Sequence, residues 1–226
     1  MFRHHRAACL PALLALLALL AHPARTAPTV TTPQDPRGVA RVPGREEKPR
    51  VVFPEEEGWF LVERQADARV ATSTFQATAP RGTPPVDLAT VTILRDIWNA
   101  DLEKAQHQFG RQLSAECEGV RARLLRQDST HVRRRLVHWS CEGGEHPFTA
   151  LQLLLQGRDD VFSVELFSRE GLLSEGLLVR WSDWLWEVEP CLDKGAGKPC
   201  PPDNWDRLAG AAPPPDGTTP DRPQRP

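Results

Sequence analysis

The sequence predicts an α+β domain: an antiparallel sheet of about six strands packed with two amphipathic helices, in the order ββαββββα. Three observations point to it. Short segments with alternating apolar residues follow one another across joins of only a few residues, which suits antiparallel neighbours. Helical periods run through Asp87 to Phe109 and through Leu172 to Glu189. Polar, proline-rich stretches at both ends leave a core of roughly 140 residues, the size of one ordinary domain.

The elements follow in chain order. Gly58 to Arg64 and Arg69 to Ala77 read as two strands joined at Gln65 to Ala68, with Val51 to Phe53 as a short leading strand. In the next segment Leu94, Trp98, Leu102, Ala105 and Phe109 recur at three- and four-residue steps, so a helix is expected there, with Gly110 as its stop. The β-rich stretch Thr90 to Ile93 argues for a late helix start. Cys117 to Gln127 and His131 to Cys141 read as a hairpin about Asp128-Ser129-Thr130. Phe148 to Gln156 places Leu151, Leu153 and Leu155 on one face. After a turn at Gly157 to Asp160, Val161 to Phe167 places Phe162, Val164 and Leu166 likewise. The last helix carries a stripe of Leu173, Leu177, Trp181, Trp184, Leu185 and Val188, and Pro190 is expected to end it.

This order, with its terminal amphipathic helix, resembles the PsbP/Mog1-like fold found in many exported bacterial domains of unknown role. The resemblance spans most of the core. It implies a binding or assembly role and offers no motif through which functional residues transfer.

The ends predict a chain exported from the cytoplasm. Arg3, His4, His5 and Arg6 precede the uncharged run CLPALLALLALLA, Cys9 to Ala21. A basic head followed by about a dozen apolar residues is a secretory signal. A membrane-spanning helix needs about 20 residues, so no transmembrane helix is expected after cleavage. Residues 1–27 are read as the signal, 28–50 as a disordered linker rich in Pro and Thr, 51–192 as the domain and 193–226 as a Pro/Gly-rich tail, disordered apart from a disulfide loop. The sequence has no Tyr and a single Met, and Arg far outnumbers Lys. That bias suggests a GC-rich bacterium, and therefore a periplasmic or secreted protein. A formal net charge of −2 gives no reason to expect a nucleic-acid partner.

Four cysteines remain beyond the signal, and an oxidising compartment favours their pairing. Cys117 and Cys141 each lie twelve residues from Ser129. In a hairpin centred there they face one another, within disulfide reach. Cys191 and Cys200 bracket a glycine-containing loop that closes easily. There is no CxxC and no zinc-like spacing.

Candidate functional residues are few. The hairpin carries Arg121, Arg123, Arg133, Arg134 and Arg135, a possible docking patch for an anionic protein or surface. In the expected register Arg123 opposes Arg135, a like-charge pair needing compensation. Trp186 falls about 140° round its helix from Trp181, off the buried stripe, and suggests an interface. The loop CEGGEHP offers Glu145 and His146 beside His138 as metal or acid–base candidates. No GxSxG, P-loop or GxGxxG pattern is present, so no catalytic residue or cofactor is assigned. The leading expectation is an exported, disulfide-stabilised binding or assembly-accessory domain of the bacterial envelope. The alternative is a metal-assisted hydrolase built on the Glu145/His146 loop.

Overall fold

The computed structural model describes residues 47–54, 58–77, 88–97, 99–130, 132–143, 147–168, 171–192 and 199–200. They form β1 (Glu47–Arg50), β2 (Trp59–Ala66), β3 (Val70–Ala77), β4 (Leu88–Leu94), α1 (Leu102–Glu116), β5 (Arg121–Asp128), β6 (Arg134–Cys141), β7 (Phe148–Gln156), β8 (Val161–Ser168), α2 (Glu175–Trp186) and β9 (Glu189–Leu192). Seven strands make one antiparallel sheet in the order β2-β3-β4-β8-β7-β6-β5, and β1 pairs separately with β9. The class is α+β, as expected. Two meanders, β2 to β4 and β5 to β8, meet where β4 pairs with β8. Helix α1 carries the chain from the middle of the sheet to its far edge.

Strand alternation sorts the core into two layers. Ala89, Val91, Ile93, Leu151, Leu153, Leu155, Phe162, Val164 and Leu166 form one apolar layer, and Trp181 and Leu185 of α2 close it. On the opposite face Val137, Trp139 and Ala150 pack under Phe109 and Leu113 of α1, while Leu94, Leu154 and Val161 pack with Leu102. The helices thus cover opposite faces. Strand β7 lies beneath both, which explains its near-continuous apolar sequence.

The segment read as one helix from Asp87 divides into a strand and a helix. Leu88–Leu94 forms β4. The eight-residue separation of Leu94 and Leu102, two four-residue steps in the sequence, spans a turn where Asp96 adopts φ 61°. The helix begins only where Asp101 caps it, its Oδ1 accepting from the backbone N–H of Glu103 and Lys104 at 3.1 and 3.0 Å. Gly110 does not stop the helix, which continues to Glu116. A Cβ at Gly110 would lie 2.7 Å from the Trp139 ring, so the glycine is there for close packing.

Helix α2 is shorter than its periodicity suggested. Ser174 caps it, and it ends at Trp186 rather than at Pro190, which lies in β9. Residues 47–50, expected within the linker, form β1, and Val51 to Phe53 is not a strand. Instead Val51 and Phe53 are buried. The Phe53 ring sits 4.9 Å from Trp59, 4.9 Å from Phe75 and 5.6 Å from Trp184. Trp184 donates its indole N–H to the Val52 carbonyl at 2.9 Å, anchoring the leading segment against α2.

Both disulfides pair as the sequence suggested, Cys117 with Cys141 and Cys191 with Cys200. The geometry of the first is different. Cys117 is the C-cap of α1 and not a strand residue. Pairing of Arg121 with Ser140 and of Leu124 with Val137 centres the hairpin past Thr130, not on Ser129. The bridge therefore ties the end of α1 to the end of β6 and does not cross the hairpin.

Candidate functional site at the arginine-bearing edge

The register of β5 and β6 decides what their arginines do. A bulge between Leu124 and Arg126 inserts Leu125, so Arg121 and Arg123 before it and Arg126 and Asp128 after it share the α2 face. Arg123 opposes His138, and Arg135 opposes Gln127. The expected Arg123–Arg135 clash is thereby avoided, because the hairpin centre is displaced and the bulge adds a further residue.

Arg133, Arg134 and Arg135 all have partners within the fold, Arg133 from an exposed position. The Arg134 guanidinium lies 4.1 Å from the Trp186 ring centroid and donates to the Trp186 carbonyl at 2.8 Å. Arg126 lies over the same ring at 5.8 Å and pairs with Asp183. Arg133 donates to Asn99 Oδ1 at 3.0 Å and to the Ala100 carbonyl at 2.9 Å. Arg135 donates to Gln106 Oε1 at 3.0 Å and Gln127 Oε1 at 2.9 Å, and approaches Glu103 at 3.6 Å. These planar forks lash the hairpin to both helices. The cleft they line also contains Asp101, Glu103 and Asp128, so its charge is mixed. Trp186, half-buried, is part of this clamp and packs on the main core.

Arg121 and Arg123 differ. Residues 121–124 are exposed without a break, and among the described residues β5 pairs with β6 alone. Arg121 has a long 3.9 Å contact with Glu142, both side chains being mostly in solvent. Burial first, and the Arg123 charge second, lower the pKa of His138, so its imidazole is neutral at neutral pH. The free edge thus concentrates positive charge on Arg121 and Arg123.

A second polar cluster was missed by sequence reasoning. On the α1 face of the sheet's central strands, Ser163 donates to Glu165 Oε1 at 2.6 Å, and Gln152 Nε2 lies 3.4 Å from the same oxygen. Thr90 and Thr92 are buried on the same face of the neighbouring strand β4. Glu165 is 2% exposed, and among the described residues its Oε2 has no hydrogen-bond partner. Burial pushes its pKa up to about 7, against the opposing effect of the Ser163 and Gln152 hydrogen bonds. The group is an interior acid that exchanges a proton near neutrality. Its signal was legible in VFSVELFS, where Ser163 and Glu165 alternate with apolar residues in an otherwise two-sided apolar strand.

Of the metal candidates, His138 lies on β6, whereas Glu145 and His146 lie outside the described residues. Among the described residues, no group of three or more His, Cys, Asp or Glu side chains is placed to hold a metal ion. Among the described residues, no helix is long and apolar enough to cross a membrane.

No protein-family model matches this chain, and no curated protein matches it. Among solved structures, it is similar to a protein of unknown function from Pseudomonas aeruginosa. The identity is 15%, over 53% of this chain and 79% of that one, with a TM-score of 0.32. A likeness at that score assigns neither fold nor function.

Proposed function

We propose that this chain is an exported, disulfide-stapled binding or assembly-accessory domain of the bacterial envelope, engaging its partner along the open edge of β5. The observation that carries the reading is the unbroken exposure of Arg121, Ala122, Arg123 and Leu124 on a strand with one neighbour among the described residues. The other hairpin arginines have partners within the fold, whereas these side chains project from a disulfide-stapled hairpin. Export is supported by the basic, then apolar, N-terminal pattern and by the paired cysteines.

The test uses the full chain expressed in a Gram-negative host, with a photo-crosslinking amino acid at Ala122 or, as control, at exposed Val62 on the opposite edge strand. The expected result is a processed chain in the envelope fraction that crosslinks to a discrete envelope component from Ala122 and not from Val62. Cytosolic retention, or identical crosslinking from both positions, overturns the reading.

A further inference from the structure

We propose that the outer edge of β5, from Arg121 to Leu124, accepts an extended acidic polypeptide segment as an eighth strand of the main sheet. The inference rests on the binding reading above and names the chemistry of the partner.

An edge strand presents backbone N–H and C=O groups that a second chain can pair with. Among the described residues, no hydrogen bond outside the sheet ladder occupies the backbone of residues 121–124. The window is bounded. Gly119, at φ 83°, turns the chain out of α1 on one side, and the bulge after Leu124 bends it on the other. An added strand alternates its side chains about the pleat. Those on one face meet Arg121 and Arg123; those on the other meet Ala122 and Leu124. The complementary segment therefore has carboxylates two residues apart, interleaved with small or apolar side chains. Opposite-charge pairs across strands are stabilising.

The same geometry disfavours a second copy of this chain, since pairing β5 with β5 brings like arginines together. The other edge is chemically different. Strand β2 bulges between Leu61 and Glu63, and Val62 and Glu63 occupy its middle.

The test is direct binding of a fluorescent octapeptide alternating Glu and Val to the full oxidised protein, measured by anisotropy. Hydrogen exchange is followed at Arg121 to Leu124. Two N-methylated versions, methylated on alternate residues along one edge or the other, probe backbone pairing without altering the protein. The expected result is saturable binding, slowed exchange in the window, and loss of binding for only one of the two methylated peptides. An Arg121→Glu/Arg123→Glu variant should bind the Glu peptide at least tenfold more weakly and gain affinity for a Lys/Val peptide.

Equal binding of both methylated peptides, or equal affinity for anionic phosphatidylglycerol vesicles, would reduce the edge to unspecific electrostatic adhesion and overturn the proposal. So would no binding at all, which would leave the arginines as guards against edge-to-edge aggregation. If Ala122 still crosslinks to an envelope component while the peptide fails, this inference falls and the binding reading stands. If the crosslink is also absent, both fall.

Discussion

The guanidinium of Arg134 lies 4.1 Å from the ring centroid of Trp186 and donates to that residue's own carbonyl, joining β6 to the end of α2. Two residues read from the sequence as exposed recognition groups are thus partners in an internal clamp. Only 19% of the Arg134 side chain is exposed, so the stacking and the charged hydrogen bond are sheltered from water. Arg134→Ala is expected to destabilise the fold by about 2 kcal/mol, measured as a shift in urea midpoint at unchanged m-value. Arg134→Lys should recover only part of that loss, because an ammonium lacks the planar fork. An Arg134→Ala protein as stable as its parent would refute the clamp.

Gly110 and Gly176 make a matched pair. A methyl group at Gly110 meets the Trp139 ring, while one at Gly176 meets open space. Gly110→Ala should cost about 1–3 kcal/mol through overpacking. Gly176→Ala should be neutral or stabilising by up to about 1 kcal/mol through helix propensity. Thermal melts of the two variants check the contrast in sign.

Glu165 makes stability depend on pH. Its folded pKa of about 7 exceeds its ordinary value of 4.5, so the native state holds the proton more tightly than the unfolded state does. Stability therefore falls as pH rises from about 4.5 to 7, by on the order of 3 kcal/mol if this group acts alone. Glu165→Gln, which keeps a neutral hydrogen-bonding group, should flatten that slope and stabilise the protein at pH 8. Denaturant titrations at pH 5 and pH 8 measure both effects. A variant with the parent's slope would show that the acid is not buried as described.

The disulfides should contribute unequally. Cys117–Cys141 closes a separation of 24 residues and Cys191–Cys200 one of 9. Restricting the unfolded chain over the longer loop is worth about 3.5 kcal/mol and over the shorter about 2.7 kcal/mol. The Cys117→Ser/Cys141→Ser double variant should accordingly unfold at lower denaturant than Cys191→Ser/Cys200→Ser. Alkylation and mass measurement of the oxidised mature protein should find no free thiol among these four residues.

Local chemistry was enough to identify much of this protein. Alternation and turn residues located β2, β3, β7 and β8 within a residue or two at most of their ends. The apolar stripe identified the second helix, and the short loop from Cys191 to Cys200 identified their bridge; Cys117 and Cys141 pair as expected, but from the end of α1 and not across the hairpin that the expectation assumed. Apart from the Cys117–Cys141 bridge, each of these signals lies within a single element or a short loop. The fate of Arg133, Arg134 and Arg135 depended on elements far along the chain, as did the burial of Glu165 and the purpose of Gly110. A one-residue bulge at Leu125 and a displaced hairpin centre moved Arg123 away from Arg135, a shift that no periodicity records. The sequence by itself determined the α+β class, the extents of β2, β3, β7 and β8 and which cysteines pair, but not β1, β4 or β9. Only the tertiary structure decided which charges are engaged within the fold and which, at Arg121 and Arg123, stay exposed on β5, because that depends on which side chains other elements bring within hydrogen-bonding reach.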